Sequence, residues 1–338
     1  MSVKHIGKQT IAFSVPPSFA GHACAVGKKE GEGPLGNSFD FINEDAYFGE
    51  KTWEKAETAF AKKAVSLALD KASFSPGDID FIFAGDLLNQ CTGTSFAVRE
   101  MCIPFFGAYG ACSTMGETIA LASIAIDGGY ADKAVAVTGS HFCSAERQFR
   151  LPLEYGGQRP PTAQWTVTGS GAAVLTAQGP GPYVTHATVG KIVDAGIKDA
   201  NNMGAAMAPA AYNTLRTHFD DMSSSPSDYD LIVTGDLGAI GADILTDFFR
   251  SDGVELSPNY NDCGLMIFDR KRQDVHAGGS GCGCAGSVLC GHLLNGMREG
   301  KWQRILFAPT GALLSPTTTL QGESIPSICY AITISNTK

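Results

Sequence analysis

A thirteen-residue stretch of this chain has a close echo further along. Residues 75–87 read SPGDIDFIFAGDL and residues 225–237 read SPSDYDLIVTGDL, with eight identical positions. An echo this close implies two halves built on one plan. A second echo pairs residues 111–140 with residues 283–312. It sets Cys112 on Cys284, Asp127-Gly128 on Glu299-Gly300, and Thr138-Gly139 on Thr310-Gly311. Chemistry in such a chain is to be sought where the halves meet.

Each copy has the same order of elements. Residues 52–72 predict an amphipathic helix with Thr52 as N-cap, since Ala56, Phe60, Ala64, Leu67 and Ala68 fall near one face. Ser75-Pro76-Gly77-Asp78 predicts a turn, and residues 80–84 a buried strand. In the second copy a helix is expected over 209–222 with Pro209 in its first turn, then a turn at 225–228 and a strand over 231–234. The later echo reads in both copies as loop, apolar helix, glycine stop and strand. Such alternation predicts an α/β fold, a mixed and mostly parallel sheet arrangement with helices on both faces. The halves span about 1–180 and 181–338, joined at Gly179-Pro180-Gly181-Pro182.

Composition narrows the function. The net charge is −9 and no Lys/Arg block of a phosphate-tracking kind is evident, which argues against nucleic-acid binding. No apolar run reaches the ~18 residues needed to cross a bilayer. The N-terminal MSVKHIGKQTIAF lacks a signal-peptide core, so a cytosolic chain, or one peripheral on a membrane through a partner, is expected. Ten scattered cysteines read mainly as reduced, small hydrophobes. Cys282-Gly283-Cys284 is too tight for a zinc pair and has no complement, so no metal or cofactor is expected from it.

Several residues are candidates for chemistry. Cys112 lies just before a helix expected over 115–126, where unpaired N–H groups and the helix dipole would lower a thiol pKa or hold a carboxylate. A buried, inert cysteine is the competing reading. His141 follows a strand expected over 134–138, and sites form at such strand ends. The polar connection 141–168 carries Glu146, Arg147, Arg150, Tyr155, Arg159 and Gln164; its arginines offer forked donors to carboxylates, and a solvated or dimer-contact loop is the plainer reading. The glycine-rich stretch 278–287, with Ser280 and Cys282, permits close backbone approach but lacks the P-loop pattern. His292 reads as core, and His276 is undecided.

The duplicated plan with the loop-helix around Ala111-Cys112-Ser113-Thr114 resembles the thiolase superfamily. The resemblance implies a five-layer αβαβα fold of two similar halves, a homodimer, and a nucleophilic cysteine at Cys112. It also implies two catalytic residues from the second half, and these are missing. Gly235-Asp236 stands where a catalytic His follows its strand, and Cys282 or Gly283 where an Asn is expected. Losing one oxyanion donor alone lowers rate by about 10²–10³. Acyl transfer through Cys112, with a substitute base such as His141, remains the alternative reading.

A closer resemblance covers nearly the whole chain. AGDLLNQ (84–90), SAERQFRLPLEYGGQRP (144–160), TVTGSGA (166–172), NDCGLMI (261–267), AGGSGC (277–282) and TGALLSPTTTLQGESIP (310–326) resemble the stage V sporulation protein AD family. That implies a non-catalytic protein that binds dipicolinic acid, with Ca²⁺ accompanying it as the chelate, for uptake into developing spores. Implied partners are the membrane proteins of the same operon, and the implied location is the inner spore membrane, peripherally. The expected ligand site comprises Cys112 as a vestigial nucleophile, His141, Arg147, Gly235, Asp236, Ser280 and Cys282. The bland reading of Asp236 is a structural Asp carried by the repeat, since Asp86 matches it.

Overall fold

The computed structural model describes residues 4–149, 158–256 and 258–338. In the first half, strands β1 (Ser18–Gly27), β2 (Phe81–Gly85), β3 (Phe105–Gly107), β4 (Lys133–Ser140) and β5 (Gly169–Thr176) lie in the order β3-β2-β4-β5-β1. In the second, β6 (Tyr183–Val189), β7 (Leu231–Thr234), β8 (Tyr260–Asp262), β9 (Arg304–Ala308) and β10 (Ser327–Ser335) lie in the order β8-β7-β9-β10-β6. The two orders are equivalent. In each, four strands run in one direction and one, β5 or β10, runs against its two neighbours. The sheets meet where Tyr183 pairs with Ser18, giving one mixed path.

The helices that matter for the site are α1 (Trp53–Ala72), α2 (Thr92–Val98), α3 (Thr114–Asp127), α4 (Phe142–Phe149), α5 (Met203–Met222), α6 (Gly238–Ser251), α7 (Cys282–Val288) and α8 (Leu294–Arg298). Strand alternation decides the layering. Ala134 and Ala136 of β4 fall in a central core with Met115 and Ile119 of α3 and Val288 of α7. Val135 and Val137 instead join an outer core with Phe60 and Ala64 of α1. In the second half Leu231 and Val233 face the central core, while Ile232 packs with Leu215 and Phe249 of α5 and α6. The layers are therefore helix, sheet, the α3/α7–α8 pair, sheet, helix. Each fully buried Phe, Met or Ile contributes about 1.5–3 kcal/mol, so the central helix pair is where the two halves are bonded.

The repeat has a physical explanation at most of its identical positions. Asp78 accepts from Ser75 N at 2.8 Å, and Asp228 from Ser225 N at 2.7 Å, closing the same capped turn. Asp80 accepts from Asp132 N and Lys133 N, and Asp230 from Gln303 N and Arg304 N, so each copy clamps the start of its parallel neighbour strand. Gly85 and Gly235 have no room for a Cβ. One on Gly85 would lie 2.0 Å from the Ala108 carbonyl oxygen, and one on Gly235 2.9 Å from Pro309 Cα.

Some local expectations need correction. The helix expected to start at Pro209 starts at Met203, with Asn202 accepting from Ala205 N at 3.4 Å; Pro209 sits in the second turn. The N-cap side chain satisfies an orphan amide that the sequence periodicity does not reveal. The 141–168 connection is not all loop, since Phe142–Phe149 is helical. Its Arg150 and Tyr155 lie outside the described residues.

Candidate functional site

Elements of both halves converge on Asp236. It follows β7, is fully buried, and Gly281 N donates to its Oδ2 at 2.8 Å. Ser280 Oγ donates to Oδ2 and Thr310 Oγ1 to Oδ1, both at 3.3 Å. The Cys112 thiol, from the turn Ala111–Ser113 ahead of α3, lies against the same carboxyl as a further donor. Burial pushes the Asp236 pKa up to about 7, against the pull of the Gly281 N–H and the thiol; nearby Asp262 pushes the same way as burial. Gln164 braces this corner, donating from Nε2 to the carbonyls of Asp236 and Gly279, both at 2.7 Å.

The thiol is not activated. Burial first, then the charge of Asp236 and the neighbouring Cys282, hold the Cys112 pKa well above its ordinary value. The expected lowering by the helix N-terminus is overturned, for an identifiable reason. The turn is closed locally: Ser113 N donates to the Gly110 carbonyl at 3.1 Å and Ser113 Oγ to the same carbonyl at 2.6 Å. The dipole end faces a carboxyl rather than a cation.

Comparison of the repeat copies shows how Asp236 was freed. Asp86 serves its own loop, accepting from Leu88 N at 2.8 Å and from Thr94 N at 2.6 Å. In the second half that work passes to Asp262 of β8, which accepts from Leu237 N at 2.8 Å and Gly238 N at 3.1 Å. Asp236 is thus not a copy of a loop-capping Asp; its bonds run to the glycine-rich stretch, to Thr310 and to the thiol.

Four of the expected site residues come together here: Cys112, Asp236, Ser280 and Cys282, with Gly235 as the close approach beneath them. Cys282 Sγ donates to the Gly139 carbonyl at 3.0 Å and packs in one small cluster with Leu87, Ala111, Cys112 and Ala145. His141 and Arg147 do not join them. His141 is buried with Nε2 on the Ala46 carbonyl at 2.8 Å, and its Nδ1 accepts from Cys143 N at 3.1 Å. Both nitrogens are spent on backbone, and burial lowers its pKa. Arg147 pairs with Glu54 and lies over the Trp53 ring, in an open groove outside the cleft.

A narrow cleft of about 30 Å³ opens onto Cys112 and Ser280, walled by Leu87, Ala145, Phe149, Met203 and Leu314. That space suits one or two waters. No Lys, Arg or His lines it among the described residues. Residues that sequence reading missed are Thr310 and Asp262. The pairing of Thr138-Gly139 with Thr310-Gly311 was a signal for the first; nothing in the sequence marks Asp262.

Residues 7–335 match the family described as Stage V sporulation protein AD (SpoVAD). The chain belongs to this family. It is 47% identical over 331 residues to the stage V sporulation protein AD of Bacillus subtilis (strain 168), covering 98% of this chain and 97% of that protein. Among solved structures it is similar to 3-oxoacyl-[acyl-carrier-protein] synthase III of Aquifex aeolicus VF5, with a TM-score of 0.55, 13% identity, and 94% and 99% of the two chains covered. It is also similar to a single-residue variant of OleA from Xanthomonas campestris, with a TM-score of 0.60, 14% identity, and 96% and 99% of the two chains covered. These likenesses establish the thiolase-like fold.

Proposed function

We propose that this chain is a non-catalytic binding protein for dipicolinic acid, taken with calcium, and that it serves uptake of that acid into developing spores alongside membrane-channel partners. The observation that carries this is the Cys112–Asp236 pair. A protonated thiol meets a buried carboxyl at the join of the two halves, and the thiol lines a cleft whose walls, among the described residues, offer no imidazole and no amide side chain. Acyl transfer needs a base and oxyanion donors at the thiol. The same place suits a flat aromatic acid, with apolar walls for the ring and the hydroxyl-bearing Thr166 and Ser280 in its lining. The carboxylate oxygens of Asp236 suit an oxygen-seeking cation carried by the ligand. Entry requires Phe149 and Leu314 to part, because the ring exceeds the present cleft. What supports a homodimer is the outer edge of β3, where Phe105 and Phe106 are 39% and 51% exposed. No helix among the described residues is long and apolar enough to cross a membrane, and attachment to the inner spore membrane is proposed to run through partners.

Titration calorimetry with calcium dipicolinate tests the reading. The wild-type chain should bind, and Ala145→Trp, which fills the cleft, should abolish binding. Failure of the wild-type chain to bind sinks the function; equal binding by Ala145→Trp sinks the site.

A further inference from the structure

The cleft at Cys112 holds about 30 Å³, whereas a cavity of about 150 Å³ is what admits a benzene ring. One of its walls must therefore move, and the two walls are anchored differently. On the first-half side stand Leu87, Ala145 and Phe149. Helix α4, which carries Ala145 and Phe149, is bonded to its own half. Ser144 Oγ donates to Glu57 Oε2 at 2.5 Å, and Gln148 Nε2 donates to the Leu87 carbonyl at 3.2 Å and to Asn89 Oδ1 at 3.1 Å. Helix and loop thus form one wall.

Leu314, on the opposite side, belongs to a surface flap in the stretch TGALLSPTTTLQGESIP (310–326). The short strand Thr310–Ala312 pairs with Ser327–Cys329, and Leu313 N donates to the Pro326 carbonyl at 2.8 Å. Residues 314–325 therefore leave and return at one point, and surface loops closed in this way are frequently functional. Leu314 and Ile325 are the buried side chains of the flap. Its helix Pro316–Leu320 buries none, and Leu320 is 89% exposed. Its polar ties run to the loop between β6 and α5. Lys198 Nζ donates to the Gly322 carbonyl at 2.7 Å and Ser324 Oγ to Asp194 Oδ2 at 2.5 Å, both in solvent. Towards α4, Pro316 lines an open groove of about 540 Å³ with Asn89, Arg147 and Gln148. Segments with few buried contacts and solvent-exposed hydrogen bonds open at low free energy.

We infer that residues 314–325 are a lid over the Cys112 cleft, swinging on the paired strands at its base while α4 stays with the first half. The inference rests on reading the cleft as the ligand site and assigns the wall that opens it.

Alkylation of Cys112 by iodoacetamide, followed over hours in the whole chain by peptide mass spectrometry, reads the opening without any ligand. Lys198→Ala combined with Ser324→Ala cuts the ties of the lid and should raise the rate about five- to tenfold. Gln148→Ala cuts α4 from its loop and should change the rate less than about twofold. Cys24 and Cys290, in the central core, should stay unlabelled in all three proteins. An unchanged rate in the double variant overturns the lid, as does faster labelling in Gln148→Ala than in the double variant, or labelling that rises equally at Cys24 and Cys290. Excess calcium dipicolinate should protect Cys112. Faster labelling in the double variant with no such protection upholds the lid and sinks the dipicolinate reading instead.

Discussion

Replacing Asp236 by Asn tests the buried acid without any ligand. Asn keeps an oxygen for the Gly281 N–H, and its amide can donate to Thr310, whose hydroxyl has free lone pairs. What changes is titration. The folded Asp236 titrates at about 7 against an ordinary 3.8. An acid with a raised folded pKa binds more protons when folded, so its contribution is full at low pH and is lost as pH rises towards the folded pKa. Between pH 5.5 and 8.5 those two values remove about 2 kcal/mol from the wild-type chain. The Asn variant has nothing to lose there. Asp86 and Glu57 titrate in both proteins and cancel in the difference. Urea unfolding of both proteins at both pH values gives the result directly. The stability difference should move by about 2 kcal/mol in favour of Asn at the higher pH. A difference that stays constant from pH 5.5 to 8.5 would refute the description of Asp236 as a buried acid without a countercharge.

Other consequences are quickly checked. Iodoacetamide at pH 8 should label the exposed Cys102 and spare Cys112, read by peptide mass spectrometry; comparable labelling of Cys112 would contradict its protonated, buried state. Gly85→Ala sets a Cβ against the Ala108 carbonyl and should lower stability by about 3 kcal/mol or more, seen as a large drop in Tm. His218→Ala removes the ring whose two nitrogens meet Thr188 and Tyr229 at 2.7 and 2.6 Å and leaves a cavity in the core, and should reduce unfolding free energy by about 3 kcal/mol. An effect under about 0.5 kcal/mol there would show that the buried network is dispensable.

The fold was legible because the repeat encodes contacts that are local or that recur. Ser75-Pro76 and Asp78 close a turn within four residues, and the same letters close it again at 225–228. The amphipathic face of α1 and its Thr52 cap were equally local; Thr52 Oγ1 accepts from Lys55 N at 3.4 Å. The site was legible in part. Cys112, Asp236, Ser280 and Cys282 each sit at a strand end or a helix start, which sequence can mark. His141 was misplaced because its neighbours are set by Ala46, 95 residues away. The activation expected of Cys112 failed because folding buries the thiol and sets beside it Asp236, from the other half of the chain. A pKa depends on what folding brings near, and one strand end does not announce what another carries.

The central claim is that the Cys112–Asp236 cleft holds the dipicolinate ligand. A crystal structure of the chain soaked with calcium dipicolinate tests it most directly. The ring should lie between Phe149 and Leu314, parted from their present positions, with the calcium on the carboxyl of Asp236. An empty cleft, with the ligand ordered elsewhere on the chain, would contradict it.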